Sequence, residues 1–389
     1  MAARGHTGPI LPGGTLGILG GGQLGSMFAA AAKRMGYRVE AISDVADCPA
    51  AIHCDRLHVG SFTDAALLAR VAADCDAVTF EFENVPVEAG RTLAAAVPVR
   101  PDPEVLHTTQ DRAREKAFLS AHGFACAPFR IVDAHAGLKQ AVAEIGLPAV
   151  LKTAAFGYDG KGQVKLLAAG DVDAAWARCG AGPDGSRRLV LEGFVDFDCE
   201  ISVVAARGVD GTVAAFPPTR NDHAHHILDV SSVPARLPDG VLAEATTVAT
   251  RILETLGVVG VACVEFFVSR DGRVLVNEIA PRTHNSGHLT IEACETSQFE
   301  QQVRAVCGLP LGSTQLRSPA AMANLLGDCW TAGDPDWAAA LGVPGVRLHL
   351  YGKREARPGR KMGHLTALAA TVEEAVERVT TARRLACRG

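Results

Sequence analysis

The chain is 389 residues long, 48% hydrophobic and 21% charged, with a formal net charge of −5 at pH 7, room enough for two or three domains with sizeable cores. The acidic balance argues against a nucleic-acid binder driven by overall charge, no apolar run approaches the ~20 residues of a membrane span, and the opening residues lack the apolar stretch of a signal peptide. Eleven cysteines, scattered singly from Cys48 to Cys387 with no Cys-x-x-Cys pair, argue against a disulfide framework or a zinc site and leave the cytoplasm as the simplest location.

Residues 1–14 read as a loose N-terminal extension. An apolar strand at 15–19 leads into Gly20-Gly21-Gly22-Gln23-Leu24-Gly25 and an Ala-rich helix from 26 to about 35. Gly36 fits a helix stop, and a strand resumes at 37–42. The alternation continues with a helix near 65–73, a strand at 77–81, a helix near 87–96 and a strand at 97–100. Strands alternating with helices indicate an α/β, doubly wound parallel sheet over 15–107. Pro101-Asp102-Pro103 closes this domain, and a helical stretch at 108–122 leads into the next.

The second domain, 108–316, reads as α+β. Strands at 149–152 and 164–167 flank a Gly-rich loop; strands at 189–192, 200–206 and 212–216 form an antiparallel set, followed by a helix near 242–256. A small C-terminal domain, 317–389, carries a strand at 346–351 and a final helix from about 372.

The sharpest chemical signal lies at 264–279, two apolar strands joined by Asp271-Gly272. Asp-Gly suits a two-residue type I′ turn. Counting outward from it pairs Arg270 with Arg273, Phe267 with Val276, and Glu265 with Glu278. Like charges directly opposed in a ladder repel, and apolar neighbours make both carboxylates costlier still. A divalent cation resolves the conflict, because Mg2+ is held by one or two carboxylates plus substrate phosphates. A solvated hairpin face with two spare glutamates is the plainer alternative.

Other motifs are weaker alone. Gly20, Gly22 and Gly25 match G-x-G-x-x-G in a strand–turn–helix context. The turn suits a dinucleotide, with Asp44 near a ribose, or a single ribonucleotide phosphate, or mere helix–strand packing. Gly157 to Gln163 is a second Gly-rich turn in which backbone and Lys161 can approach phosphates. Lys152 ends an apolar strand, either as a buried cation or as a snorkelling surface lysine; Glu192 to Val195, with Glu200 beyond, is compatible with an edge for a base and its ribose but says nothing in isolation. His223, His225 and His226 read as a solvated polar loop, since no carboxylate pattern accompanies them. The string from Asn277 to His288 is dense in polar groups. The basic run from Lys353 to His364 is either a solvated turn or a clamp for phosphate or carboxylate.

Taken together, Gly20–Gly25, Glu81-Phe82-Glu83-Asn84, Gly157–Gln163, Asn277–His288 and Arg357–His364 resemble the 5-(carboxyamino)imidazole ribonucleotide synthetases, ATP-grasp ligases of purine biosynthesis. The likeness runs from about Thr15 to the C-terminal helix. Thr283 stands where relatives commonly carry proline, Lys161 where several carry arginine, and the loop at His225-His226 is less typical. The resemblance implies an N-terminal α/β domain, a central ATP-grasp domain and a small C-terminal domain, assembled as a homodimer. It implies ATP and Mg2+ as cofactors, and 5-aminoimidazole ribonucleotide and bicarbonate as substrates. By matching positions, ATP would meet Arg112, Lys152, Gly157, Tyr158, Asp159, Gly160, Lys161, Gly162, Gln163, Glu192, Gly193, Phe194, Val195, Glu200, His223, Asn277 and Glu278. Magnesium would sit on Glu265 and Glu278. Gly21, Gly22, Gln23, Leu24, Glu81, Tyr158, Asp159, Arg282, His284, Asn285, Ser286, Lys353 and Arg360 would hold the ribonucleotide and bicarbonate, with Lys161, Arg282 and Asn285 as catalytic groups. A sister ATP-grasp enzyme that formylates glycinamide ribonucleotide, and a nicotinamide-dependent oxidoreductase, are the competing readings. The second leaves the carboxylate hairpin without a purpose.

Overall fold

The computed structural model describes residues 8–155, 162–179 and 188–387. Four parallel strands, β1 (Thr15–Leu19), β2 (Arg38–Ser43), β3 (Arg56–Val59) and β4 (Ala77–Phe80), form the first sheet in the order β3-β2-β1-β4. β1 is buried along its whole length and β4 likewise, the pattern of strands covered on both faces. β3 was not expected: of its four residues two are exposed and only His58 is buried, with no clear alternation. The strand expected at 97–100 is instead a single parallel bridge from Val99 to Val78. The helical stretch expected at 108–122 is two helices, Pro103–Thr109 and Arg112–Ala121. The Asp102 carboxylate caps the first and Asp111 the second, each accepting from main-chain N–H groups. Pro103 therefore opens a helix at its first position, where its missing N–H costs nothing.

A second, antiparallel sheet contains β5 (Phe129–Val132), β6 (Ala149–Thr153), β7 (Gln163–Leu166) and β8 (Leu189–Gly193) in the order β5-β8-β6-β7. Leu138, Leu151, Leu166, Leu189 and Leu191, all fully buried, weld it to the helices His135–Ile145 and Val172–Arg178.

The third sheet has nine strands: β9 (Phe197–Arg207), β10 (Val213–Ala215), β11 (Thr219–Ala224), β12 (Ile227–Val233), β13 (Gly260–Ser269), β14 (Val274–Ala280), β15 (Ala320–Leu326), β16 (Val346–Leu350) and β17 (Lys361–Leu368). Their order is β14-β13-β9-β11-β12-β15-β17-β16, with β10 paired to β9. The C-terminal strands thus extend the central sheet through the β12–β15 ladder. Two expectations are corrected here. The histidine segment is no loop: His223 lies on β11, and His225 and His226, at φ 52° and 65°, form the two-residue turn into β12. Both central residues of a type I′ turn need positive φ, and histidine tolerates it better than most. The second concerns cysteine: Cys329 and Cys387 are joined by a disulfide that ties the end of the last helix to the segment after β15.

Candidate active site

The carboxylate hairpin forms, but by a different route from the one the turn residues suggest. Gly272 alone has positive φ, 81°, its N–H donates to the Ser269 carbonyl at 2.8 Å, and Ser269 N–H donates to the Arg273 carbonyl at 3.0 Å. This is a three-residue loop ending in a left-handed glycine, so near the turn Phe267 pairs with Leu275 rather than Val276. Asn277 then bulges out of β14, because Phe266 pairs with Val276 while Glu265 pairs with Glu278. The bulge cancels the shift at the turn, and the two glutamates face each other as expected. Burial first, and then the charge of Glu278, push the Glu265 carboxyl up to about 8. His223 and Lys361 offset that conflict only in part, and an all-oxygen pair suits a hard cation. Among the described residues no cluster of three or more His, Cys, Asp or Glu side chains could hold a metal. Two carboxylates completed by nucleotide oxygens therefore fit Mg2+ better than a closed protein cage.

Behind the hairpin lies a buried cationic cluster. Lys152 Nζ on β6 donates to Glu192 Oε2 on β8 at 2.9 Å, and Lys116 Nζ and Arg112 Nη1 each stand 3.8 Å from the same carboxylate. Burial alone would raise the Glu192 carboxyl, but the charges of Lys152, Lys116 and Arg112 outweigh it and hold it at about 2. Burial draws the Lys152 ammonium below its usual range, although Glu192 opposes the shift. Arg112 reaches across to Glu278 Oε2 at 3.3 Å. Three positive groups converge on Glu192, with Glu115 buried beside Arg112 and Lys116 and with Arg112 reaching on to Glu278, which sets cationic side chains next to the hairpin as polyphosphate binding requires.

Glu115 and Lys116 are functional neighbours that the sequence reading missed. Lys116 is fully buried and donates to the carbonyl of the bulged Asn277 at 3.1 Å. Glu115 accepts the N–H of Ile279 at 2.6 Å, and burial pushes its carboxyl up to about 7 against the pull of Arg112 and Lys116. Their signal was available: on one helix, positions 112, 115 and 116 fall on a single face.

In front of the hairpin runs the loop after β14. Arg282 pairs with Glu83 at 2.5 Å, joining this loop to the first domain. His284 Nδ1 receives the Ser286 main-chain N–H, so the ring proton sits on Nε2, which points at Glu265 Oε1 3.3 Å away. Burial drives this imidazole well below the usual histidine range, so it is neutral. The Ser286 hydroxyl is fully buried, turned toward His284 Nδ1 at 2.9 Å and Ser202 Oγ at 2.7 Å, and so orients the histidine. Ser202 is held in turn by Thr219 and Asn221. Among the described residues, both amide atoms of Asn285 are buried and lack a hydrogen-bond partner. A buried amide of this kind takes its partners from water, an ion or a ligand.

The first glycine turn is already occupied by protein. Glu81 accepts from the N–H of Gly22, and from that of Gly25 at 2.7 Å, at the start of the helix Gln23–Arg34. Burial raises its carboxyl despite those bonds. A Cβ at Gly20 would come within 2.4 Å of Glu81 Cγ and one at Gly22 within 2.5 Å of its Oε1, so these glycines make room for a carboxylate. Gly21, Gln23 and Leu24 belong to the same turn, with Gly21 packed against Cys48.

The remaining site residues divide as follows. His223 Nδ1 lies 3.0 Å from Glu200, and that partner raises the imidazole even though burial pulls it down. The N–H groups of Gly193 and Phe194 donate to the carbonyls of Pro128 and Pro148. Phe194 is exposed, with Lys165 over its ring, and Val195 is half-buried. Lys353 Nζ donates to the Lys361 carbonyl and Arg360 to that of Glu355. Gln163 opens β7, and the carbonyl of Gly162 just before it receives Thr153 N–H. Gly157, Tyr158, Asp159, Gly160 and Lys161 lie outside the described residues.

Comparison with known proteins bears directly on this geometry. Residues 14–110 match the ribonucleotide synthetase preATP-grasp domain, 117–299 the ATP-grasp domain, and 320–378 the phosphoribosylaminoimidazole carboxylase C-terminal domain. The chain is 46% identical over 361 residues to the N5-carboxyaminoimidazole ribonucleotide synthase of Brucella melitensis, covering 92% of this chain and 97% of that protein. It is 42% identical over 373 residues to the Bacillus subtilis enzyme of the same name, covering 95% and 96%. A solved N5-carboxyaminoimidazole ribonucleotide synthetase in complex with ADP superposes with a TM-score of 0.90 at 40% identity, over 97% of this chain and 98% of that one. The Aspergillus clavatus enzyme in complex with ADP and 5-aminoimidazole ribonucleotide superposes with a TM-score of 0.87 at 30% identity, over 98% and 100%.

Proposed function

The chain belongs to the N5-carboxyaminoimidazole ribonucleotide synthase family, and on that premise we propose that it is an ATP-dependent ligase. It joins bicarbonate to the exocyclic amine of 5-aminoimidazole ribonucleotide, yielding the N5-carboxyamino product, ADP and phosphate in purine biosynthesis. One observation carries the reading: the opposed Glu265–Glu278 pair stands between a buried cationic cluster and a loop with an unpartnered amide. Glu265 and Glu278 would hold Mg2+, which supplies charge neutralisation at the phosphates. Arg112 and Lys152 bind the polyphosphate from behind, and Glu200 with His223 lies toward the nucleoside. Residues 157–163, with Lys161, are assigned to the phosphates by resemblance, 157–161 lying outside the described residues.

The γ-phosphoryl passes to bicarbonate to give carboxyphosphate, which the ribonucleotide amine then captures. Arg282 neutralises the bicarbonate, and the Asn285 amide offers it a donor and an acceptor in a dry setting. His284, neutral and donating toward Glu265, adds no positive charge to compete for that anion. The first glycine turn, Glu81, Lys353 and Arg360 hold the ribonucleotide. The oxidoreductase reading leaves the opposed carboxylates without a purpose, and the likeness to ATP-grasp ligases leaves it no support.

The same proposal divides the chain at 107/108 and 316/317 and places a homodimer in the cytoplasm. No helix among the described residues is long and apolar enough to cross a membrane. Sedimentation velocity tests the assembly. The decisive assay is ADP release with aminoimidazole ribonucleotide plus bicarbonate, run beside glycinamide ribonucleotide plus formate. Release with the first pair alone is expected; release with the second would sink the reading.

A further inference from the structure

The helix Gln298–Cys307 buries three glutamines along one side, Gln298, Gln301 and Gln302, each at most 3% exposed. A buried amide must find partners for both its donor and its acceptor, and each of these finds them on distant segments. Gln298 Oε1 accepts the His284 N–H at 2.9 Å, while its Nε2 donates to the carbonyl of the same His284 at 2.7 Å. The side chain thus pairs with one residue's main chain as a neighbouring strand would. Its own N–H donates to Thr290 Oγ1, whose hydroxyl donates to the Gly287 carbonyl at 2.6 Å. A Cβ at Gly287 would lie 2.5 Å from Gln298 Oε1, so that glycine admits the clamp.

Gln301 does the same to Gly312, donating to its carbonyl at 2.6 Å and accepting its N–H at 2.9 Å. Gln302 accepts from Val261 N–H on β13 and donates to Thr79 Oγ1 on β4 at 2.9 Å.

We propose that Gln298 is a positioning residue for the reaction: its amide clamps the His284 main chain and so fixes where Arg282, His284 and Asn285 meet bicarbonate and the ribonucleotide. Beside the clamp, the loop 281–288 is held through side chains, Arg282 to Glu83 and Ser286 to Ser202, while its main chain makes short-range bonds such as Gly287 N–H to the His284 carbonyl and His288 N–H to that of Asn285. Glu265 and Glu278 sit on paired strands whose ladder places them whether or not His284 is clamped. The inference rests on the ligase reading for its kinetic arm, and on the geometry alone for its structural arm.

The test compares Gln298→Leu and Gln298→Glu with Gln301→Leu. The glutamate keeps an acceptor for His284 N–H but sets an oxygen against its carbonyl. Gln301→Leu removes an equivalent buried clamp from the same helix, on a loop outside the site, and so controls for lost stability. Amide hydrogen exchange of residues 283–288, read by mass spectrometry, is expected to quicken in both Gln298 variants and to stay at the parent rate in Gln301→Leu. In the ribonucleotide assay, KM for bicarbonate should rise and kcat should fall, together by roughly a hundredfold as for an ångström-scale misplacement. Affinity for Mg-ATP by calorimetry should stay within about threefold, a split that follows from separating the two sets of contacts. Unchanged loop exchange in a folded Gln298 variant overturns the proposal, as does a Gln298→Leu enzyme whose kinetics match Gln301→Leu. Should the parent itself fail to turn over the ribonucleotide, the ligase reading falls while the exchange result still decides the clamp.

Discussion

At the scale of single residues, charge rather than shape distinguishes this site. Glu278→Gln removes one of the two opposed carboxylates at constant volume, and with its side chain 40% exposed the fold should persist. Arg112 keeps Glu192 as a partner. Turnover should drop by roughly a thousandfold or more, the loss expected for a metal ligand in phosphoryl transfer; activity within tenfold of the parent would sink the metal assignment. The pH dependence follows from Glu265, raised from 4.5 to about 8 chiefly by burial. An acid whose folded value is raised stabilises the metal-free protein below its unfolded value and loses that contribution as pH rises through about 8. Buried His284, His288 and His364, lowered well below 6.5, act in the opposite sense on the acid side. Melting temperature therefore mixes the two, and binding is the cleaner measurement. The cation must displace the Glu265 proton, so Mg-ATP affinity should climb as pH rises from 6 to 8 and then level. Proton release should show in calorimetry across buffers of different ionisation heat. A flat profile would show that Glu265 is already ionised.

At the scale of elements, two glycine-rich turns have different owners. The one between β1 and the helix Gln23–Arg34 is filled by Glu81, and a larger residue at 22 would strike that carboxylate. Gly22→Val should therefore displace Glu81 from the helix start and cost about 2–3 kcal/mol of stability as its buried bonds are lost. The KM for the ribonucleotide should rise while that for ATP changes little. Thermal unfolding measured alongside separates misfolding from a true binding effect, and loss of ATP with the ribonucleotide retained would reverse the proposed sites. The hairpin teaches a related lesson about register. Its loop differs from the type I′ turn that Asp271-Gly272 suggests, and the bulge at Asn277, pinned by Lys116, restores the pairing of Glu265 with Glu278. A shift of one residue would have sent one carboxylate to the opposite face.

At the scale of the whole molecule, the C-terminal segment completes the central sheet rather than standing apart. β12 pairs with β15, and Val230, Ala321, Leu325, Leu365, Val379 and Ala382 share one buried cluster. A chain ending at 316 would bare the β12 edge and the apolar residues beneath it, an open invitation to pairing with other chains. That fragment should aggregate or lose cooperative unfolding, measured by size-exclusion chromatography and urea denaturation. A monodisperse fragment that still binds Mg-ATP would show the segment to be separable. The helix Gln298–Cys307 plays the corresponding part on the other side, packing Phe299, Val303 and Val306 into the core of the first domain while Gln302 bridges β4 and β13.

What the sequence determined alone is whatever depends on neighbours in the chain. The alternation of β1, β2 and β4 with helices and the hairpin at 264–279 follow from side-chain period and turn residues, both local, whereas the confrontation of Glu265 with Glu278 also needed the bulge at Asn277. Tertiary structure decided the rest, because partners in a buried polar network are chosen by packing, not by spacing. Arg112 meets Glu278 across 166 residues and Gln302 meets Thr79 across 223. The same holds for Lys116 under the bulge, for the Gln298 clamp and for Glu81 filling a turn that looked like a phosphate site. A buried charge or amide is tolerated only where distant groups satisfy it, and no local pattern says which groups those will be.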